Sequence, residues 1–509
     1  MIYDEQPIAD VMAGHLYSVT KQTNSTNANL TLPTQADHDH TQHPVYNRPI
    51  SLAELQTALK SMRNSAPGPD GLHPVMIKNL NEKSLRCIQY LYNVTWLKSC
   101  LPMAWKKAYV LPLLKPDKNK LLPSSYRPIS LTNFLCKVSE KIISTRLSNE
   151  LESKGLLDRF QGGFLKNRST IDNLVRLQQE ILDGFALNQP TVCVFFDIEK
   201  VRQSILDNLC RLGFHGHLVH FVQDFLTDRE FQVRIGATLS IPYVQETGTP
   251  QGSVISPLLF ILALNTLKEE IPEQINHSLF ADDFAVYARG DSVSYIANQL
   301  QTTINNLVSW GQNNDITFAP AKTKVIVFTR HRKRTNFQPL HLCTTQIQEV
   351  TLAKFLGIHM DSRLTWSKHL HVIKQRGLTA LNLMKKLSST KWGSDRKLLL
   401  RLYCSHVRSI LDYGSIIYGS ASNHQLKTLD TIRNQALRFS YGAFCTTPYF
   451  SLHAETCTLP LSLHRNKLSL LYLLSGAHSA PHRYTPKPKP QPNLTRTNTT
   501  HDANSKAKR

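Results

Sequence analysis

No stretch of this 509-residue chain approaches the roughly 20 consecutive apolar residues that a membrane span requires, so no transmembrane segment is expected. Nor does it open on a cationic and then apolar leader: Asp4 and Glu5 fall within the first five residues, and an intracellular, unsecreted protein is expected. The nine cysteines, at 87, 100, 136, 193, 210, 343, 404, 445 and 457, include no C-x-x-C pair. Zinc knuckles and redox motifs are therefore unsupported, and most of these cysteines read as small buried apolar groups in a reducing compartment. Acids are scarce too: 37 Asp+Glu against 59 Lys+Arg give a formal charge of +22 and a pI of about 9.6. Such an excess suits a polyanionic partner, because each Lys or Arg at a phosphate releases condensed counterions. The rest is ordinary globular composition, 41% hydrophobic with a mean hydropathy of -0.27. A chain of this length is expected to divide into roughly two to four subdomains.

Along the chain, residues 1 to 48 include the polar stretch Lys21-Gln22-Thr23-Asn24-Ser25-Thr26-Asn27 and read as linker. Ser51-Leu52-Ala53-Glu54 is a capping-box pattern that opens a short helix. Ala66-Pro67-Gly68-Pro69-Asp70-Gly71 forces a rigid turn. From Leu131 the apolar residues Phe134, Leu135, Val138, Ile142 and Leu147 fall on one helix face, as do Ile296, Leu300, Ile304, Leu307 and Val308 further on. Between them lie strands carrying acids, which predicts an α+β core with a largely antiparallel sheet. Residues 361 to 475 are patterned mostly as helix, with Leu398, Leu399, Leu402, Val407 and Ile410 among the apolar positions, and the Pro-, Thr- and Asn-rich tail from Pro481 reads as disordered. There is no internal repeat.

The chemistry is carried by acids. Asp282-Asp283 is flanked by Ser278-Leu279-Phe280 and Phe284-Ala285-Val286-Tyr287, and an Asp pair at the tip of an apolar hairpin repels itself unless a cation neutralises it. The alternative is a pair capping backbone N–H groups in a turn. Upstream, Val192-Cys193-Val194-Phe195-Phe196-Asp197 is a buried-strand pattern ending in an acid. Two such strands side by side would gather three carboxylates, a donor set for Mg²⁺ or Mn²⁺. Two such ions about 4 Å apart serve phosphoryl transfer, so nucleotidyl transfer is the expected reaction.

In order along the chain, these segments join Ala66 to Gly71, Ala108-Tyr109-Val110-Leu111-Pro112-Leu113-Leu114-Lys115, Tyr126-Arg127-Pro128-Ile129-Ser130-Leu131 and Gln161-Gly162-Gly163-Phe164. Then come Arg168-Ser169-Thr170-Ile171-Asp172, Phe195 to Lys200, Gly248-Thr249-Pro250-Gln251-Gly252-Ser253, Ala321-Lys322-Thr323-Lys324 and Lys354-Phe355-Leu356-Gly357-Ile358. Together they resemble the reverse transcriptase of non-LTR retrotransposons, jockey-like elements in particular, from about Ser65 to Leu474. The resemblance implies a right-hand polymerase fold. Residues 1–48 would be linker or N-terminal extension, 49–190 fingers and the start of the polymerase domain, and 191–360 the palm through the primer grip, with a fingers insertion at 200–245. Residues 361–478 would be a helical thumb or C-terminal region, and 479–509 a disordered basic tail.

The resemblance also assigns roles. Asp197, Asp282 and Asp283 would be catalytic and hold the metal ions. Lys115, Arg127, Gln251, Gly252 and Lys322 would handle the nucleotide, with cations near the triphosphate stabilising transition-state charge. Gly163, Phe164 and Arg168 would contact template, and Phe355, Leu356 and Gly357 would grip the primer. Two alternatives stand beside these roles: Arg127 paired with a structural acid, and 354–358 as a purely structural buried hairpin. The implied partners are an RNA template, a DNA primer or target, dNTPs and an RNA-binding protein encoded by the same element, with work in the nucleus after a cytoplasmic phase. Arg330-His331-Arg332-Lys333-Arg334 is a nuclear-import signal or RNA contact, or else a solvated loop.

One departure is specific. After Lys200 the family continues with a small residue, an aromatic and an acid, whereas here Val201-Arg202-Gln203 runs directly into Ser204-Ile205-Leu206. Arg202 stands where the family has the aromatic that senses a 2′-OH, so deoxy- and ribonucleotides should be poorly discriminated or the nucleotide misplaced. A displacement of about 1 Å at such a site costs on the order of 100-fold in rate. A catalytically inactive nucleic-acid-binding remnant is therefore the second reading, and an RNA-dependent RNA polymerase, against which the fingers and primer-grip segments argue, the third. Relatives usually carry an endonuclease and some a ribonuclease H; neither is expected within this chain.

Overall fold

The computed structural model describes residues 4–21, 44–116, 118–201, 205–331, 337–389 and 392–478. Arg202, most of the polar N-terminal stretch, Arg332-Lys333-Arg334 and the tail from 479 lie outside the described residues.

The run Val192 to Phe196 is buried throughout because strand alternation divides it between two cores. Cys193 and Phe195 face one apolar cluster, while Val192, Val194, Phe196 and Ile198 face another. The strand they form, Thr191–Val201, sits centrally in a sheet ordered Gln348–Glu349, Lys324–Phe328, Thr191–Val201, Asp283–Arg289, Asn276–Phe280, with Ile316–Phe318 added at its far end. Every pairing is antiparallel except that of Gln348–Glu349 with Lys324–Phe328, in agreement with the expected sheet. Helix Val293–Asn313 covers one face through Ile296, Leu300, Ile304 and Leu307, the stripe read from sequence. On the other face, Phe355 of the hairpin Leu352–Phe355/Ile358–Asp361 packs its ring 5.1 Å from that of Phe195.

A second sheet pairs Lys107–Leu114 with Tyr126–Thr132 and, in parallel, with Arg229–Ile235. That last strand lies in the 200–245 stretch yet leaves the central sheet for this one. Within residues 1–48, expected to be linker or N-terminal extension, Glu5–Thr20 is a helix docked on this sheet. Met12 and Ala13 are buried against Val110, Phe231 and Val233, while Gln6 donates to the Leu239 carbonyl and Tyr17 to Glu246. Its apolar residues at helical spacing were hidden by the polar run that follows.

Helix Phe134–Ser153 starts later than Leu131, which belongs to the preceding strand: Asn133 caps it by accepting from the Leu135 amide. The Ser51/Glu54 capping box is present. From Ser367 the chain is predominantly helical, as expected, although Leu398 is exposed. The cysteines correct the reading, for only Cys136 and Cys193 are buried while Cys87, Cys100, Cys343, Cys445 and Cys457 are exposed. Cys343 and Cys457 occupy left-handed turn positions, where the chain is at the surface. No described helix is long and apolar enough to cross a membrane.

Candidate active site

Strand register brings the acids together. Asp197 is the cross-strand partner of Asp283, so their side chains share the sheet face that the 352–361 hairpin covers. Phe280 pairs with Asp283, leaving Ala281-Asp282 as a two-residue turn with Ala281 at φ +56°. A two-residue hairpin turn requires positive φ, and for a non-glycine residue this costs roughly 1–2 kcal/mol. Asp282 stands exposed at the tip. Asp197 is held on its other side, where its carbonyl accepts from the Ala319 amide at 2.9 Å.

Desolvation and the charges of Asp282 and Asp197 push the Asp283 carboxyl up to about 6, against the opposing charge of Lys354. Lys322 Nζ donates to Asp197 Oδ2 at 2.8 Å. Mutually repelling carboxylates with adjacent ammonium groups fit a hard divalent cation, which would relieve that repulsion. Among the described residues, no three His, Cys, Asp or Glu side chains are gathered tightly enough to enclose an ion. The carboxylates would have to close around one.

The predicted nucleotide-handling residues occupy two places. Lys322 is at the carboxylates. Gln251 and Gly252 lie instead against the strand bearing Arg127, where the Gln251 carbonyl accepts from the Ser130 amide at 2.7 Å. Gly252 is at φ +129°, and a Cβ there would meet the Ser130 carbonyl oxygen at 2.5 Å, so only glycine allows this approach. Lys115 extends the same hairpin, its amide bonding to the Ser125 carbonyl and its ammonium to that of Ser124. Arg127, the register partner of Leu113, is exposed and forms no ion pair with a described acid, which removes the structural-acid alternative among the described residues. No hydrogen bond or ion pair among the described residues joins Lys115 or Arg127 to the carboxylates.

The segment expected to meet template braces the Asp-Asp turn as well. Gly162 N–H donates to the Leu279 carbonyl at 2.7 Å, and a Cβ on Gly163 would stand 2.5 Å from the Ala281 nitrogen. Arg168 turns inward and donates to the carbonyls of Asp158, Arg159 and Gln161. Phe164, at φ +59°, is 60% exposed and presents a ring for stacking. In the primer-grip segment, Phe355 and Leu356 are buried in the core and Gly357 turns at φ +82°, with Tyr413 donating to the Leu356 carbonyl at 2.6 Å. Lys354 is the exposed side chain there.

Two residues with no role in the sequence reading support this frame. Glu140 is fully buried and accepts from Ser253 Oγ and from the Val254 amide at 2.7 Å, fixing the Gln251-Gly252 loop. Its signal was an acid on the stripe Cys136, Ile143, Leu147 of an otherwise apolar helix face. Asn173 donates to the Leu279 carbonyl at 2.8 Å, and nothing in the sequence distinguishes it from a surface asparagine.

Residues 113–360 match the family described as reverse transcriptase (RNA-dependent DNA polymerase). The chain is 27% identical over 481 residues to the "Probable RNA-directed DNA polymerase from transposon BS" of Drosophila melanogaster, covering 91% of this chain and 52% of that protein. It is 27% identical over 424 residues to the corresponding protein of transposon X-element from the same fly, with 80% and 45% covered. To the RNA-directed DNA polymerase from mobile element jockey of D. melanogaster it is 26% identical over 407 residues, with 77% and 44% covered. The chain thus spans about half the length of the curated relatives it matches.

Proposed function

We propose that this chain, whose residues 113–360 match the reverse transcriptase (RNA-dependent DNA polymerase) family, is an RNA-directed DNA polymerase of a non-LTR retrotransposon. It extends a primer 3′-OH along an RNA template with dNTPs. The observation that carries this reading is the register placing Asp197 opposite Asp283 beside the strained turn that bears Asp282. These three carboxylates would hold Mg²⁺ or Mn²⁺, which would there supply the charge that activates an attacking hydroxyl and stabilises a leaving oxygen.

The chain's own groups do the rest. Lys322 keeps positive charge at Asp197 and would stabilise the departing pyrophosphate. Gln251 and Gly252 shape the nucleotide pocket against Ser130, and Arg127 and Lys115 on that hairpin neutralise the triphosphate. Phe164 stacks on template, and the backbone of the buried Phe355-Leu356-Gly357 turn, with Lys354, fixes the primer end. The subdomain limits are those read from sequence, and the departure of Arg229–Ile235 to the fingers sheet supports a fingers insertion within 200–245. Work at a chromosomal target in the nucleus follows from the kind of element.

The shortened segment after Lys200 favours one second reading, a remnant that binds nucleic acid through its net charge of +22 without polymerising. Primer extension on poly(rA) with oligo(dT) separates them, run on this chain and on one with an Ala-Phe-Asp-type segment restored after Lys200. Extension by both supports an active polymerase, and extension by the restored chain alone identifies an inactivated one. Unchanged extension in Asp282→Asn of the active form would refute the carboxylate assignment.

A further inference from the structure

The residue before Asp282 and Asp283 is held by a side chain from a distant segment. Gln161 Oε1 accepts the Ala281 N–H at 3.1 Å and the Gly163 N–H at 2.8 Å. Both partners are donors, so the amide can be oriented only with its oxygen toward them. Gln161 is fully buried, and its Nε2 has no hydrogen-bond partner. An orphaned buried donor offsets much of what the two bonds add to stability, so their principal effect is local geometry.

The geometry is that of a clamp. Residues 160–162 add to the edge of strand Asn276–Phe280: the Leu279 amide donates to the Phe160 carbonyl at 3.3 Å and the Gly162 amide to the Leu279 carbonyl at 2.7 Å. The strand pairing ends there, and Gln161 carries the restraint two residues further, onto Ala281. That residue sits at φ +56°, a conformation alanine disfavours, and immediately precedes both acids. Without an acceptor for its N–H, Ala281 is free to rotate toward ordinary negative φ, which would reorient Asp282 relative to Asp283.

We infer that Gln161 is a positioning residue whose side-chain oxygen selects the left-handed conformation of Ala281 and thereby sets Asp282 and Asp283 to take a divalent cation. This rests on the reading of the three carboxylates as a cation site. It assigns Gln161 to the carboxylate turn and not to template.

Mn²⁺ binding to the full chain, followed by electron paramagnetic resonance, tests it without requiring polymerisation. Wild type, Asp282→Asn, Gln161→Met and the double variant Gln161→Met/Ala281→Gly are compared, with thermal melting of each. Gln161→Met is expected to weaken Mn²⁺ by about threefold to tenfold, the scale of one net hydrogen bond. Ala281→Gly should restore most of that loss, because glycine adopts positive φ freely. Wild-type affinity in Gln161→Met, with affinity lost in Asp282→Asn, would refute the positioning role while leaving the cation site standing. Undiminished affinity in Asp282→Asn would remove the cation site and the inference with it. Loss without rescue by Ala281→Gly, or a Gln161→Met chain that does not fold, would mark Gln161 as structural and overturn the inference.

Discussion

Glu140 offers the sharpest test of how the Gln251-Gly252 loop is built. Its carboxylate is fully buried, one oxygen taking Ser253 Oγ, the Val254 amide at 2.7 Å and the Ile255 amide at 3.3 Å, while the other meets Cys136 Sγ at 3.3 Å. These amides precede helix Ser256–Leu264, so the negative charge lies where the helix dipole favours it, and the buried Arg229 guanidinium feels that charge too. Glu140→Gln keeps the shape and can keep one oxygen on the loop donors, losing only the charge-assisted part, about 1–2 kcal/mol. Glu140→Ala strands three donors and opens a cavity, and should cost about 3–5 kcal/mol. Urea unfolding followed by circular dichroism measures the difference. Hydrogen exchange at Val254 and Ile255 locates it, with protection falling first at those amides. A Glu140→Ala chain within about 0.5 kcal/mol of wild type, or with those two amides as protected as before, would refute the reasoning, because a dispensable buried carboxylate cannot be holding the loop.

Two further outcomes follow from the titrating groups. Burial, together with His359 and Arg376, holds the His369 imidazole down to about 4, and its Nδ1 accepts the His359 amide as only a neutral ring can. Its folded pKa lies below the unfolded value, so stability should fall as pH drops from 6.5 to 4 and level off below that. The total is about 3 kcal/mol, and a pH series of urea unfolding in which His369→Gln keeps the full slope would contradict it. Asp283, raised to about 6, shows the opposite sign: its protonated form favours the fold, and that contribution is lost as pH rises through 6. Mn²⁺ competes with that proton, so affinity should climb between pH 5 and 7 and then flatten. Asp282→Asn should move the Asp283 midpoint downward in a carboxyl-carbon NMR titration; an unmoved midpoint would show the two carboxylates to be uncoupled.

The sequence made the placement of the acids legible because each sits in a short local signal: Asp197 ends a strand pattern, and Asp282 and Asp283 interrupt another. What it concealed is geometry supplied from far along the chain. Gln161 and Asn173 reach the Asp-Asp turn across more than a hundred residues, through side-chain contacts to backbone groups that leave no periodicity. Helix Glu5–Thr20 went unread because its docking surface comes from strands that begin a hundred residues later. Helix Phe134–Ser153 was displaced by three residues because Leu131 continues the apolar pattern on the strand side of the Asn133 cap.

The same distinction bears on the segment shortened after Lys200. Strand Thr191–Val201 is paired on one flank with Asp283–Arg289 through the Asp197–Asp283 register, and on the other with Lys324–Phe328 and then Ile316–Phe318 out to Val201. Each of these pairings precedes the shortened stretch, and the Ala319 amide fixes the Asp197 carbonyl independently of it. The residues that place Asp197 are therefore distinct from the stretch after Lys200 that reads as shortened, which on the proposed reading would supply the floor beneath the sugar. The two functions should separate accordingly. Mn²⁺ affinity in this chain should equal that of the chain with the segment restored, while discrimination between dNTP and NTP in primer extension should differ between them. Equal discrimination in the two would mean that the shortened segment never formed that floor, and weaker Mn²⁺ binding in this chain would mean that the carboxylate frame depends on it after all.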